Sequence, residues 1–203
     1  MKKAYHFIRN TYDWIHDILY HVETVKWAQH EEHDNIINFM YEPTPYRVLR
    51  KLFARYPINQ DDHLIDFGCG KGRVLVMAAK NGCKNLYGID LSRSLLDIAT
   101  INLSRCKQKC ADLYYKLICM DAKKYVFNPN INKVYLLNPF QLRVFMHLIK
   151  SLLSSIEDNP RTITVYYCGI KQSIKDYLDK IGCFKLIGEE EIDNLNISIY
   201  CVQ

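Results

Sequence analysis

Asp66-Phe67-Gly68-Cys69-Gly70-Lys71-Gly72-Arg73 is the stretch of this 203-residue sequence whose residue types and spacing could do chemistry. Glycine tolerates positive φ and has no Cβ, so a turn built on Gly68, Gly70 and Gly72 lets the backbone approach a ligand closely. The apolar run Leu64-Ile65 before it and the run from Val74 to Ala79 after it predict a strand, a tight turn and a buried helix. The first N–H groups of that helix face the ligand. Asp90 ends a second predicted strand, Leu86 to Ile89, near the offset of about 20 residues at which an acid accepts hydrogen bonds from ribose hydroxyls. A turn that merely joins strand to helix is the rival reading of the glycines, and the acid at the next strand tip favours a ligand that contains a nucleoside.

The spacing also separates ligand classes. A dinucleotide fold prefers G-x-G-x-x-G, and here Arg73 stands where that pattern has its third glycine. Two further motifs follow in order, Cys119-Met120-Asp121-Ala122 after a third predicted strand and Leu137-Asn138-Pro139-Phe140 after a fourth. Together with Asp66-x-Gly68-x-Gly70-x-Gly72 and Asp90, they resemble the ordered motifs of the class I S-adenosylmethionine-dependent methyltransferases, from about Tyr41 to the C-terminus. The resemblance implies an α/β fold of the Rossmann-like class I methyltransferase type, a mostly parallel sheet with helices on both faces. It implies S-adenosyl-L-methionine as cofactor, held by Tyr41, Thr44, Asp66, Gly68, Cys69, Gly70, Gly72, Asp90, Leu91, Asp121, Ala122 and Asn138. In that assignment Asp90 meets the ribose and Asp121-Ala122 the adenine, for which a surface turn is the alternative.

Tyr41-Glu42-Pro43-Thr44-Pro45, ahead of the glycine loop, resembles a group of bacterial methyltransferases related to protein lysine methyltransferases. In that group this loop borders the methionine end of the cofactor. Asn138-Pro139-Phe140 resembles the N-P-P-Y/F motif of amino-methyltransferases, in which the Asn oxygen and the next carbonyl accept N–H bonds from the target amine and the aromatic ring packs on it. One proline stands here where that motif has two, and a strand-ending turn is the alternative. The expected catalytic group is Asn138, Pro139 and Phe140 with Tyr41. Methyl transfer from a sulfonium is an in-line displacement that depends on placement and exclusion of water, and no metal is expected. The expected reaction is N-methylation of an amino or amide group of a protein. Nucleic acid or a small amine as acceptor, a cofactor-binding module without catalysis, and a nicotinamide enzyme are the alternatives.

Other elements must position these residues. Ile8, Tyr12, Ile15, Leu19, Val22 and Val25 recur at helical spacing, predicting one or two amphipathic helices over 1–40, a lid or cover on a methyltransferase domain at 41–203. His30-Glu31-Glu32-His33 lacks the spacing of H-E-x-x-H and reads as a solvated helix face. Thr44 suits an N-cap with Pro45 as first helical residue, Asn81-Gly82 a helix stop, and Ser92 the cap of a helix that ends in Arg105, Lys107 and Lys109. Lys71 is expected to point out of the loop toward solvent or acceptor. Later strands are predicted from Leu113 to Cys119, Ile131 to Leu137 and Arg161 to Tyr167, with helices from Gln141 to Ser155 and Ile174 to Ile181. Phe184 to Ile187 and Asn196 to Val202 form a closing antiparallel pair separated by Glu189-Glu190-Glu191.

Composition bounds the rest. With 49% apolar and 24% charged residues, the chain suits one well-buried domain plus an appendage. A net charge of +5, spread along the sequence, permits nucleic acid or acidic protein partners and requires neither. Acids and a histidine at 13, 16 and 17 interrupt any signal-peptide core, and no apolar run approaches the ~18 residues of a span, so a cytoplasmic protein without a membrane partner is expected. Eight cysteines without a C-x-x-C pair suit reduced thiols. The oligomeric state is left open.

Overall fold

Short runs of apolar and β-branched residues, bounded by Gly, Asn and Asp, form seven strands in the computed structural model, which describes residues 2–25, 41–137 and 140–203, with 2–9 in backbone alone. In chain order the elements are α1 (Lys2–Tyr20), α2 (Tyr46–Arg55), β1 (His63–Phe67), α3 (Arg73–Lys80), β2 (Asn85–Asp90), α4 (Arg93–Lys109) and β3 (Tyr114–Cys119). A 3₁₀ turn (Ala122–Lys124) leads to β4 (Lys133–Leu137), α5 (Leu142–Asp158), β5 (Ile163–Cys168), α6 (Gln172–Ile181), β6 (Lys185–Ile192) and β7 (Leu195–Val202). The sheet order is β3-β2-β1-β4-β5-β7-β6. Only β7 runs antiparallel to its neighbours β5 and β6. This is the Rossmann-like class I methyltransferase fold that the motif order implies.

Strands buried on both faces need helices on both. Leu64, Tyr135 and Tyr166 share one face with α2, α3 and α4. Ile65, Phe67, Leu136 and Tyr167 face α5 and α6 on the other. Strand order reverses between β1 and β4, and ligands of open α/β sheets bind outside the carboxyl ends of the strands at such a reversal. The glycine loop follows β1 at that edge, Asp90 ends β2, and Asn138-Pro139 follows β4.

Three expectations are corrected. First, Thr44 is not the cap of α2: Pro45 is, and its carbonyl accepts from the Val48 and Leu49 N–H groups. The Thr44 hydroxyl instead turns to the sheet, 2.7 Å from Tyr135 Oη. Second, Glu189, Glu190 and Glu191 lie within β6 rather than between strands. The reversal is made by Asp193 and Asn194 at φ 55° and 63°, the paired positive values of a two-residue hairpin turn.

Third, α1 is turned over relative to its apolar pattern. Ile15 and Leu19 are exposed, as are Trp14 and Ile18, while Asp13 and Asp17 are buried. The buried acids have partners that outweigh the lost apolar contact. Asp17 accepts from the Thr24 and Val25 N–H groups, the Thr24 hydroxyl and Tyr46 Oη. The helix ends in a Schellman turn, with His21 left-handed (φ 56°) and Val22 N donating to Asp17 O. Residues 26–40, with His30-Glu31-Glu32-His33, lie outside the described residues.

Asp17→Ala is expected to cost roughly 3 kcal/mol, because it leaves several buried donors without an acceptor. Urea unfolding checks this. A midpoint equal to that of the native sequence would mean the Asp17 cluster contributes nothing to stability.

Candidate functional site

The glycine turn owes its shape to backbone that only glycine adopts cheaply. Gly70 (φ 51°) and Gly72 (φ 79°) are both left-handed, and a Cβ on Gly70 would collide with the Tyr41 ring. Gly72 caps α3, and its bare Cα lets α4 approach, since a Cβ there would lie 3.3 Å from Ala99 Cβ. Gly68 and Cys69 N–H groups donate to Ile89 O, which ties the turn to β2. Asp90 completes the tie, with Oδ2 accepting from Gly70 N at 2.8 Å and Oδ1 from Ser92 N at 2.9 Å.

Tyr41 packs on Gly70 and donates its hydroxyl to Thr24 O at 2.9 Å. Thr44 sits by Tyr135, whose strand partner on β1 is Asp66. Leu91, just past β2, is exposed, and Met120 N donates to Asp90 O, which sets the end of β3 beside that of β2. Asp121 caps the 3₁₀ turn through Lys123 N, its Oδ2 lies 3.3 Å from Lys123 Nζ, and Ala122 is buried. Cys69 is buried, with its thiol against Gly88. Asn138 and Pro139 lie outside the described residues; Phe140 is half-buried, edge-on to Phe67 at 6.4 Å between centroids.

Lys71 departs from expectation. It is 1% exposed, with Nζ 3.7 Å from Glu23 Oε1 and 5.4 Å from the centre of the Tyr41 ring. The reason is a strap, residues 22–25, that crosses the loop. Asn102 on α4, fully buried, accepts from Glu23 N and donates to both Glu23 O and Lys71 O. Arg73 donates Nε to Thr24 Oγ1 and Nη1 to Asp13. The sequence alone assigns no place in this cluster to Asp13, Asp17, Thr24, Arg73 or Asn102. Asn102 carried a signal, a polar residue within the inward stripe of Leu95, Ala99, Leu103 and Cys106.

Burial first, and then the Asp90 carboxylate, hold the Asp66 carboxyl well above the usual carboxylate range. Burial likewise pushes the Tyr41 phenol well up. A cationic group brought beside Asp66 favours its ionised form, so the acid suits a positively charged ligand. Three polar features of S-adenosylmethionine fit what is present: a cation near Asp66, a diol for Asp90 and close backbone at Gly70. A carboxyl whose folded-state pKa is raised binds more protons folded than unfolded between the two values, so stability falls as pH rises through that window. Asp66→Asn is therefore expected to raise the melting temperature of the ligand-free protein at neutral pH and to flatten its decline from acid to neutral. Parallel melting curves for both proteins across that range would contradict this.

Comparison with known proteins agrees with the fold. Residues 64–156 match the family model described as a methyltransferase domain. A protein-lysine N-methyltransferase of Saccharolobus islandicus is 33% identical over 66 residues, 32% of this chain and 41% of its own length, so the chain spans less than half of that relative. Among solved structures, an RNA methyltransferase from Salinibacter ruber in complex with S-adenosyl-L-homocysteine superposes with TM-score 0.57 at 17% identity, over 79% of this chain and 94% of the other. A precorrin-6y C5,15-methyltransferase from Geobacter metallireducens gives TM-score 0.60 at 12% identity, over 79% and 90%. No helix among the described residues is long and apolar enough to cross a membrane.

Proposed function

We propose that this chain is an S-adenosylmethionine-dependent methyltransferase that N-methylates an amino or amide group of a protein. The observation that carries the cofactor assignment is the pair Asp66 and Asp90 against the left-handed glycine turn, at the point where strand order reverses. When bound, the cofactor supplies an electrophilic methyl group on a sulfonium. The chain's own residues bind, orient and exclude water. Asp90 takes the ribose hydroxyls while holding Gly70, Asp121 and Ala122 meet the adenine, and Leu91 offers an apolar surface beside them. Tyr41, Thr44 and Asp66 border the methionine end.

Tyr41 is a positioning residue rather than a base, since its hydroxyl proton is donated to Thr24 O and burial keeps the phenol protonated. Asn138 and the Pro139 carbonyl accept the N–H groups of the acceptor, and Phe140 packs on it. That tripeptide, next in sequence after β4, and the likeness to a protein-lysine N-methyltransferase support a protein amine as acceptor.

The test is transfer of tritium from methyl-labelled S-adenosylmethionine into a lysate of the source cells. Protease-sensitive label that hydrolyses to a methylated amino acid is the expected result. Label removed by nuclease, or found in small molecules, would move the acceptor to those classes. No transfer at all would leave a binding module without catalysis.

A further inference from the structure

Arg73 holds more hydrogen-bonding capacity than its surroundings use. Its guanidinium is 2% exposed and lies over the Tyr46 ring, 4.6 Å from the centroid. Nε donates to Thr24 Oγ1 at 2.7 Å, and Nη1 to Asp13 Oδ2 at 2.6 Å and Thr44 O at 3.2 Å. Nη2 is buried without a hydrogen-bond partner among the described residues. An arginine that serves only as an internal ion pair is commonly gripped through two nitrogens by one carboxylate. Asp13 takes a single nitrogen, and its other oxygen is committed to Tyr46 N at 3.0 Å. The fork is thus open on one side, and its chemistry suits a carboxylate.

Position says which carboxylate. Arg73 directly follows Gly72, and Thr24 receives both Arg73 Nε, on its hydroxyl, and the hydroxyl of Tyr41, on its carbonyl. Tyr41 in turn lies on Gly70. The open nitrogen therefore belongs to the group of residues assigned to the methionine end.

We propose that Arg73 Nη2 binds the carboxylate of the cofactor's amino-acid end, an inference that rests on the cofactor reading above. Asp66 receives the ammonium group, so the two charges of the amino acid are read separately. Because Nη2 is covered, the carboxylate reaches it only with local movement.

Calorimetry on the full chain tests this with two ligands, S-adenosylhomocysteine and its decarboxylated analogue, S-adenosyl-3-thiopropylamine, which keeps the ammonium and loses only the carboxylate. The native sequence should prefer the first by at least about tenfold. Arg73→Gln should abolish that preference by weakening S-adenosylhomocysteine alone, and Arg73→Lys should recover part of it. Equal weakening of both ligands by Arg73→Gln, or no weakening of either, would reduce Arg73 to a structural residue and overturn the proposal. Should Arg73→Gln fail to fold, the native sequence still decides, since equal affinity for the two ligands overturns the proposal without any variant. Binding of neither ligand by the native sequence would instead remove the cofactor reading on which the proposal rests.

Discussion

Asn138→Ala is expected to lower turnover by about 10²-fold or more while leaving cofactor affinity near that of the native sequence, because it removes a contact that positions the acceptor nitrogen in line with the transferred methyl. The residue follows Leu137, the last of β4, which is one of the two strands between which strand order reverses. Phe140→Ala should behave differently and mainly raise the acceptor KM, since packing against the acceptor is similar in the ground and transition states. Phe140 also leans on Phe67, so its loss opens space at the tip of β1. Steady-state kinetics with cofactor titration separate these effects. Normal turnover in Asn138→Ala would make the tripeptide a strand-ending turn and withdraw the support it gives to an amine acceptor.

Asp90→Ala should weaken cofactor binding by about tenfold or more, since charge-assisted hydrogen bonds to two ribose hydroxyls are lost, each contributing about 1.5 to 3 kcal/mol. The structure adds a second route to the same loss. Asp90 also accepts the Gly70 and Ser92 N–H groups, so its removal frees the glycine turn and the start of α4 together. Asp90→Asn, which keeps one acceptor oxygen, should fall between the two. Unchanged affinity in a folded Asp90→Ala protein would contradict the ribose assignment.

What could be read from the sequence follows from how local each signal is. The glycine turn, Asp90 and the Ser92 cap are set by residues within one turn or one strand tip, and the structure has each in the expected conformation. The parallel strands were legible because burial on both faces leaves continuous apolar runs. The failures involve residues whose partners are distant in sequence. Asp13 and Asp17 look like interruptions of an apolar helix until Arg73, Thr24 and Tyr46 are brought to them across the fold. Lys71 looks like an exposed loop residue until the strap covers it with Glu23. Thr44 has the type and position of a cap, but its hydroxyl pairs with a tyrosine 91 residues away and Pro45 takes the cap position. The Asp193-Asn194 turn did carry a local signal, outshone by the acidic run beside it.

The proposed function makes the carboxyl edge around Gly70, Asp66 and Asp90 a site for S-adenosylmethionine rather than for a dinucleotide. Calorimetric titration of the full chain with S-adenosylhomocysteine and, separately, with NAD tests it most directly. One-to-one binding of S-adenosylhomocysteine in the micromolar range, with no heat from NAD, is the predicted result. Binding of NAD, or of neither compound by a folded protein, would contradict the account.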